Sequence, residues 1–344
     1  MKLTEIALED AVGLRLAHDM TRIDAALGTK GARFKKGQIV TPEDLPVLRG
    51  MGREHLSILE LEPDEIHEDD AARELCGAII GLNCSSSLPS EGLIGISADC
   101  CGLLCYDPEM VHRVNEDPDW VLATMPPHSI VAEGQRVAGF RIRPLAMERH
   151  RVRRAAGVAG RIDVMPFRPL TAGLLTTGRE IATGLVRDAF ADKFRGKLSS
   201  FGGIFAGQRF SSDDSEQIAA EIRAFIEGGA DLVVCTGGMS VDADDRTPGG
   251  IRLVAEKISF QGVPMLPGAM LMLGSAKSPS GGEVSILGAP ACVVHDVRTS
   301  LDCVLPFIFA GVDPTPFMRR RGVGGLCEHC SPCHWPECRF SSGC

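Results

Sequence analysis

Apolar residues change their rhythm along this chain, and the changes mark out its parts. Between Ile162 and Asp313, short runs that are apolar almost throughout alternate with stretches whose apolar residues recur every three or four positions. The runs "LTAGLLTTG", "GIFAGQRF", "DLVVCTGG" and "EVSILGAP" predict strands covered on both faces. Between them, "LVRDAFADKFRGKLSSFG" predicts a helix. A second helix starts at Asp213, with Glu216 three residues on completing a capping box. It carries Ile218, Ile222, Phe225 and Ile226 on one stripe and stops at Gly228 and Gly229. A third helix is expected after Thr247, and a largely apolar one from Val293 to Phe309. Alternation of this kind predicts an α/β domain over residues 162–313, a mostly parallel sheet between two helical layers.

The remaining regions have a different texture. Residues 1–68 form an α+β segment: an amphipathic stretch from Glu5 to Met20, a helix N-capped by Thr41 with Pro42, Glu43 and Asp44 in its first turn, and a strand at "HLSIL". Residues 69–161 predict a mostly β insertion with one helix opened by Asp107 and Pro108. Arg151, Arg153, Arg154 and Arg161 within it read as a solvated linker. Residues 314–344 are a cysteine-rich tail.

Candidate chemistry collects where the strands end. Ligands of open α/β sheets bind beyond the carboxyl ends of the strands. Three such ends carry glycine turns: Thr176, Thr177 and Gly178 in "TTGRE", Thr236, Gly237, Gly238 and Ser240 in "TGGMS", and Gly288 and Pro290 in "LGAP". Glycine lets the backbone approach an anion, and a following helix N-terminus attracts it. Asp242, Asp244 and Asp245 follow the second turn, and carboxylates beside a phosphate site hold Mg²⁺. Neither a P-loop lysine nor a G-x-G-x-x-G pattern is present, which disfavours nucleoside triphosphatases and dinucleotide dehydrogenases. Composition narrows the field further. Aromatics at 5% and a net charge of −9 exclude a nucleic-acid or anionic-membrane surface as the main business of the chain. The sequence contains no secretory leader pattern and no apolar run of membrane-spanning length, so a cytoplasmic location is expected.

Residues 162–311 resemble the molybdopterin-binding domain shared by the molybdotransferases and adenylyltransferases of molybdenum cofactor biosynthesis. "TTGRE" is similar to the family's T-G-D-E-L turn, "CTGGMSVDADD" to its S-G-G-V-S-V-G-x-x-D loop, "PMLPGAM" to K-P-G-K, and "LGAPACVV" to G-L-P-G-N-P-V. Arg187-Asp188 falls at the family's D-x-N stretch, and Asp213-Asp214 at its D-D pair. Residues 31–59 are similar to the part preceding this domain in the molybdotransferases. The resemblance implies the three-layer fold and a site at Thr176, Thr177, Gly178, Asp188, Thr236, Gly237, Gly238, Ser240, Pro267, Gly268, Gly288 and Pro290. It implies Mg²⁺ at Asp245 and Glu180, with these two as the catalytic pair, and a homo-oligomer. The chain departs from the family where Leu266 and Ala269 replace both lysines, Arg179 replaces an acid, Asp242 replaces a glycine, Ala243 stands at an acid, and Ala289 and Ala291 alter the last turn. Two functions therefore stay open. One is a molybdotransferase-like enzyme using molybdate; the other is a non-catalytic carrier, delivery or sensor protein for the pterin, serving a molybdoenzyme client. A nucleotide-diphosphate pyrophosphatase is a weaker third.

The tail reads independently of that resemblance. Cys327, Cys330, Cys333 and Cys338 have the spacing C-x2-C-x2-C-x4-C, a metal-ligand pattern. An iron–sulfur cluster, Zn²⁺ or redox-active thiols fit it, with His329 and His334 as substitute ligands. With few apolar residues after Val323, the tail is expected to depend on that metal for its order. Cys100, Cys101 and Cys105 are expected to be buried without a metal.

Overall fold

The computed structural model describes residues 2–24, 29–178, 189–239 and 245–340, with backbone alone at 21–24 and 29–32. The trace divides into two units, one of Met1–Asp99, Tyr106–Met125 and Glu133–Asp163, the other of Cys100–Cys105, Pro126–Ala132 and Val164–Cys344. The division is discontinuous, whereas the sequence suggests contiguous blocks, because the strands Gly102–Cys105 and Ile130–Val131 pair with each other in the second unit.

In the first unit, strands Lys2–Ala7, His55–Glu60 and Arg15–Leu16 form an antiparallel sheet over a core of Leu8, Leu16, Phe34, Leu48, Leu56 and Ile58. The first helix spans Asp44–Gly50 and starts later than Thr41: the Asp44 carboxylate accepts from the Thr41 N–H (2.9 Å) and hydroxyl (3.0 Å). Beyond residue 68 the unit carries helices Glu68–Ile79, Pro108–Val114 and Arg149–Val158 beside a four-stranded antiparallel sheet. The arginine-rich stretch is thus a helix, with Val152 and Ala155 buried. Its Arg151 is held by Asp117 (2.6 Å), Asp119 (2.8 Å) and Glu148 (3.4 Å).

The second unit is the α/β domain. Its main sheet has, among the described residues, six strands, β1 (Thr171–Thr177), β2 (Ile204–Ser211), β3 (Leu232–Thr236), β4 (Lys257–Gln261), β5 (Met272–Lys277) and β6 (Glu283–Ala289), in the order β2-β1-β3-β6-β5-β4. The first four in that order run parallel; β5 is antiparallel to both β6 and β4. Among the described residues, the helices that accompany them are α1 (Ala191–Ser199), α2 (Ser215–Glu227), α3 (Thr247–Val254), α4 (Ser300–Ala310) and α5 (Thr315–Arg319).

Side-chain alternation along the strands produces the layers. Leu232 and Val234 of β3 join Leu174, Phe194, Leu301 and Leu305 in one core, against α1 and α4. Val233 and Cys235 join Leu175, Ile222, Phe225 and Ile251 in the other, against α2 and α3. Each fully buried aliphatic side chain contributes roughly 1.5–3 kcal/mol, which fixes the register of the sheet.

Helix starts in this domain also differ from the sequence expectation. α2 is capped by Asp214, which accepts from the Gln217 N–H at 2.9 Å, one residue after Asp213. α4 begins at Ser300 instead of continuing from Val293. Thr299 and Asp302 close a capping box there, and Ala291–Val294 form a separate 3-10 turn. Among the described residues, no helix is long and apolar enough to cross a membrane.

His128 lies between Phe307 and Phe317, ring centroids 5.0 and 4.8 Å away. Burial, and secondarily the charge of Arg321, depress its pKa from 6.5 to about 4. Between those values the unfolded chain binds the proton and the folded chain does not, so stability falls as pH drops from about 6.5 towards 4. The loss should reach at most about 3 kcal/mol. His128→Asn, which tolerates the positive φ of 63° at this position, should flatten this part of a urea-unfolding pH profile; an unchanged slope would contradict the assignment.

Candidate cofactor site at the strand ends

Parallel pairing brings the three turns together. Thr176 of β1 is in register with Thr236 of β3, and Thr236 with Ala289 of β6. The threonines at these ends are buried, yet polar, and they bond to one another. Gln208 of β2 donates to the Thr176 hydroxyl at 2.9 Å, and the Thr236 hydroxyl lies 3.4 Å from it. The Thr177 hydroxyl lies 3.2 Å from the Thr236 carbonyl and 3.0 Å from the hydroxyl of Thr247, the first residue of α3. Thr247 in turn donates to the Gly237 carbonyl at 2.9 Å. This ladder ties the second turn to β1 and to the start of α3.

The glycines have distinct reasons. Gly237 has φ 87°, and a Cβ on it would sit 2.3 Å from the Thr177 carbonyl oxygen. A Cβ on Gly238 would lie 2.9 Å from the Thr247 hydroxyl, and one on Gly288 2.5 Å from Met239. These three let the chain fold tightly on itself. Gly178 differs: at φ 126° it has no described residue within 4 Å of where a Cβ would stand, while its N–H donates to the Ser211 carbonyl. An approaching ligand meets bare backbone there.

Pro267 and Gly268 sit on the connection from β4 to β5, against the start of α4. The Ser300 N–H donates to the Pro267 carbonyl (3.1 Å) and its hydroxyl to the Gly268 carbonyl (2.7 Å). A Cβ on Gly268 would lie 2.2 Å from the Ser300 hydroxyl. Leu266, standing at one of the family's lysine positions, is 59% exposed. Pro290 is buried and accepts from the Val293 N–H in the third turn. Asp245 is half-buried two residues before Thr247. Glu180, Asp188 and Ser240 lie outside the described residues, as do Asp242 and Asp244.

The described strand-end residues thus offer hydroxyls and backbone, with Asp245 beside them. Behind them the Cys235 thiol is pushed up to about 12 by burial, which keeps it protonated and inert. Gln208, Met239 and Thr247 belong to the arrangement without any motif of their own. Only the T-P pair opening α3 gives a sequence signal, and only for Thr247.

The tail is docked on the domain. Phe340 is 3% exposed in the α1–α4 core, and Cys327, Trp335 and Cys338 pack against that core. The Leu266 N–H donates to Gly325 and the Cys327 N–H to Leu266, both at 2.8 Å. Its order therefore has a protein contribution that its composition does not suggest. Cys327, Cys330, Cys333 and Cys338 line one cavity of about 270 Å³ together with His295, Asp296 and Arg298. Among the described residues, no group of three or more His, Cys, Asp or Glu is gathered as for a single metal ion. Cys101 is exposed and Cys100 and Cys105 half-buried, contrary to the expected burial.

Residues 173–310 match a family model described as a probable molybdopterin binding domain, and residues 5–60 match one described as a domain of unknown function. A CinA-like protein of Mycobacterium leprae (strain TN) is 38% identical over 76 residues, 22% of this chain and 18% of that protein. A CinA-like protein of Mycobacterium avium (strain 104) is 36% identical over the same shares. The chain thus spans less than a fifth of these relatives' length. Among solved structures, the tungsten cofactor synthesizing protein MoaB from Pyrococcus furiosus is 19% identical with a TM-score of 0.35, covering 44% of this chain and 99% of that one. CinA from Thermoplasma acidophilum is 18% identical with a TM-score of 0.34, covering 41% and 98%.

Gly237→Ala tests whether the tight turn matters. The new methyl would collide with backbone at 2.3 Å in a left-handed conformation, so the variant should lose at least about 1 kcal/mol of stability. A thermal melt identical to that of the parent would show that the turn relaxes freely.

Proposed function

We propose that this chain, whose residues 173–310 belong to the molybdopterin-binding domain family, binds molybdopterin at the carboxyl ends of β1, β3 and β6. On this reading it takes part in molybdenum cofactor biosynthesis. The observation that carries it is the register-matched row of Thr176, Thr236 and Ala289, with a hydroxyl ladder and bare glycine backbone at its edge. Thr176, Thr177, Gly178, Thr236, Gly237 and Gly238 would contact the pterin phosphate, with Ser240 and Asp188 completing that shell. Gly288 and Pro290 form the floor, and Pro267 with Gly268 forms one wall.

Asp245 and Glu180 are the pair we assign to Mg²⁺. Bound there, the ion would offset phosphate charge and polarise the bond to be broken during molybdate insertion. Asp245 suits this place: it precedes the helix whose Thr247 hydroxyl holds the Gly237 carbonyl. Leu266 favours a second reading, a carrier or delivery protein, because an exposed apolar side chain there supplies none of the charge that a lysine would. A charge-assisted hydrogen bond is worth roughly 1.5–3 kcal/mol, so losing both lysines weakens turnover more than bare recognition.

Two measurements separate the readings. Native mass spectrometry of the purified chain should find a bound pterin in both. Molybdate- and Mg²⁺-dependent release of AMP from adenylated molybdopterin should occur only in the enzyme. If the enzyme reading holds, Asp245→Asn abolishes that release while the thermal melt stays native-like. Full turnover in this variant would reduce Asp245 to a helix-terminal residue.

A further inference from the structure

We propose that Cys327, Cys330, Cys333 and Cys338 hold a [4Fe–4S] cluster in the cavity they line, with Arg298 as its cationic wall. This is independent of pterin binding. The spacing admits either a single ion or a cluster, and the geometry points to the cluster. A lone Zn²⁺ needs all four sulfurs within about 2.3 Å of one point. The four side chains line one cavity of about 270 Å³, which has room for a cluster core rather than only a single ion, and three of them stand two residues apart, as in the C-x2-C-x2-C run of cluster-binding chains. Iron and sulfide between the thiolates hold them farther apart than one ion does.

The wall of the cavity fits a negatively charged occupant. Four thiolates around a cluster core of charge +2 leave a net charge of about −2 in the oxidised state. Arg298 lines the same cavity as Cys333. Its guanidinium stacks on Trp335 at 4.3 Å and bonds to the buried Asp302 at 2.8 Å, so it cannot swing away freely. Asp296, Glu328, His295, His329 and Arg339 also face the cavity. Arg298 is the cation fixed from both sides. Cys330 and Cys333 are exposed, so the site is open to assembly and to electron exchange with a partner.

The location gives the cluster a use. Residues 295–298 join the third strand-end turn to α4, and Cys327 pairs through its backbone with Leu266, next to Pro267. The cluster would therefore sit on the same two segments that bound the strand-end site.

The test uses the full-length chain purified anaerobically, then reconstituted with equal amounts of ferrous and ferric iron and with sulfide. The proposal expects about four iron and four sulfide per chain, broad visible absorption, and an EPR signal on reduction with dithionite. Cys330→Ser, at an exposed position, should lose most of the iron while keeping the parent's thermal melt. Arg298→Gln should keep the iron but titrate at a more negative potential, with Arg298→Lys between the two. Stoichiometric zinc in a colourless protein would overturn the proposal. So would less than about 0.2 equivalents of any transition metal, since clustered thiolates bind soft metals tightly. Unchanged iron in Cys330→Ser would overturn the ligand set, and an unshifted potential in Arg298→Gln would overturn the role of the arginine. Pterin content in each preparation reports separately on the strand-end site.

Discussion

Burial of the central sheet on both faces is the constraint from which the rest of the α/β domain follows. Leu232 and Val234 must satisfy one helical layer while Val233 and Cys235 satisfy the other, so β3 has no solvent face to give to chemistry. Polar function is pushed to the strand ends, where apolar packing stops and the chain must turn. There the buried hydroxyls of Thr176, Thr177 and Thr236 would each cost free energy if left without partners. They are satisfied by Gln208, by Thr247 and by one another.

That economy explains how these threonines can stay buried at the strand ends. A ladder of neutral hydroxyls orders the turns without a titrating group, and the nearest thiol, on Cys235, is held protonated by burial. A site built this way binds through shape and backbone, and any strong electrostatics must come from residues just past the turns. Asp245 is a described residue in that position, two residues before α3 begins.

Much of this was legible in the sequence. Two-sided burial prints itself as continuous apolar runs at β1, β3 and β6, whose glycine turns located the candidate site, whereas β2, expected to be covered on both faces, is a largely exposed edge strand. What was hidden depended on pairing between residues distant in the chain. Gln208 reaches Thr176 across 32 positions and Thr247 reaches Thr177 across 70, and no local pattern encodes either. Helix starts were displaced for a simpler reason. Asp213 and Asp214 are both good caps, and only the backbone decides between them; apolar continuity through Val293 and Val294 masked the true cap at Thr299. Phe340, the anchor of the tail, is a single aromatic residue among polar neighbours and gives no periodic signal.

The buried carboxylate of Asp302 has a consequence beyond capping α4. It is met by two cations, Lys197 from α1 and Arg298 from the preceding loop. Lys197 also donates to the Val297 carbonyl at 3.2 Å, and Lys193 to that of Val294 at 2.5 Å, so α1 clamps the loop along its length. One anion facing two cations leaves the knot with a surplus of one positive charge. Lys197 alone suffices to neutralise Asp302, so the guanidinium can answer to a changing negative charge outside while the helix start beneath it stays electrically balanced. The knot acts as an insulator, letting the surface vary its charge without unsettling the core.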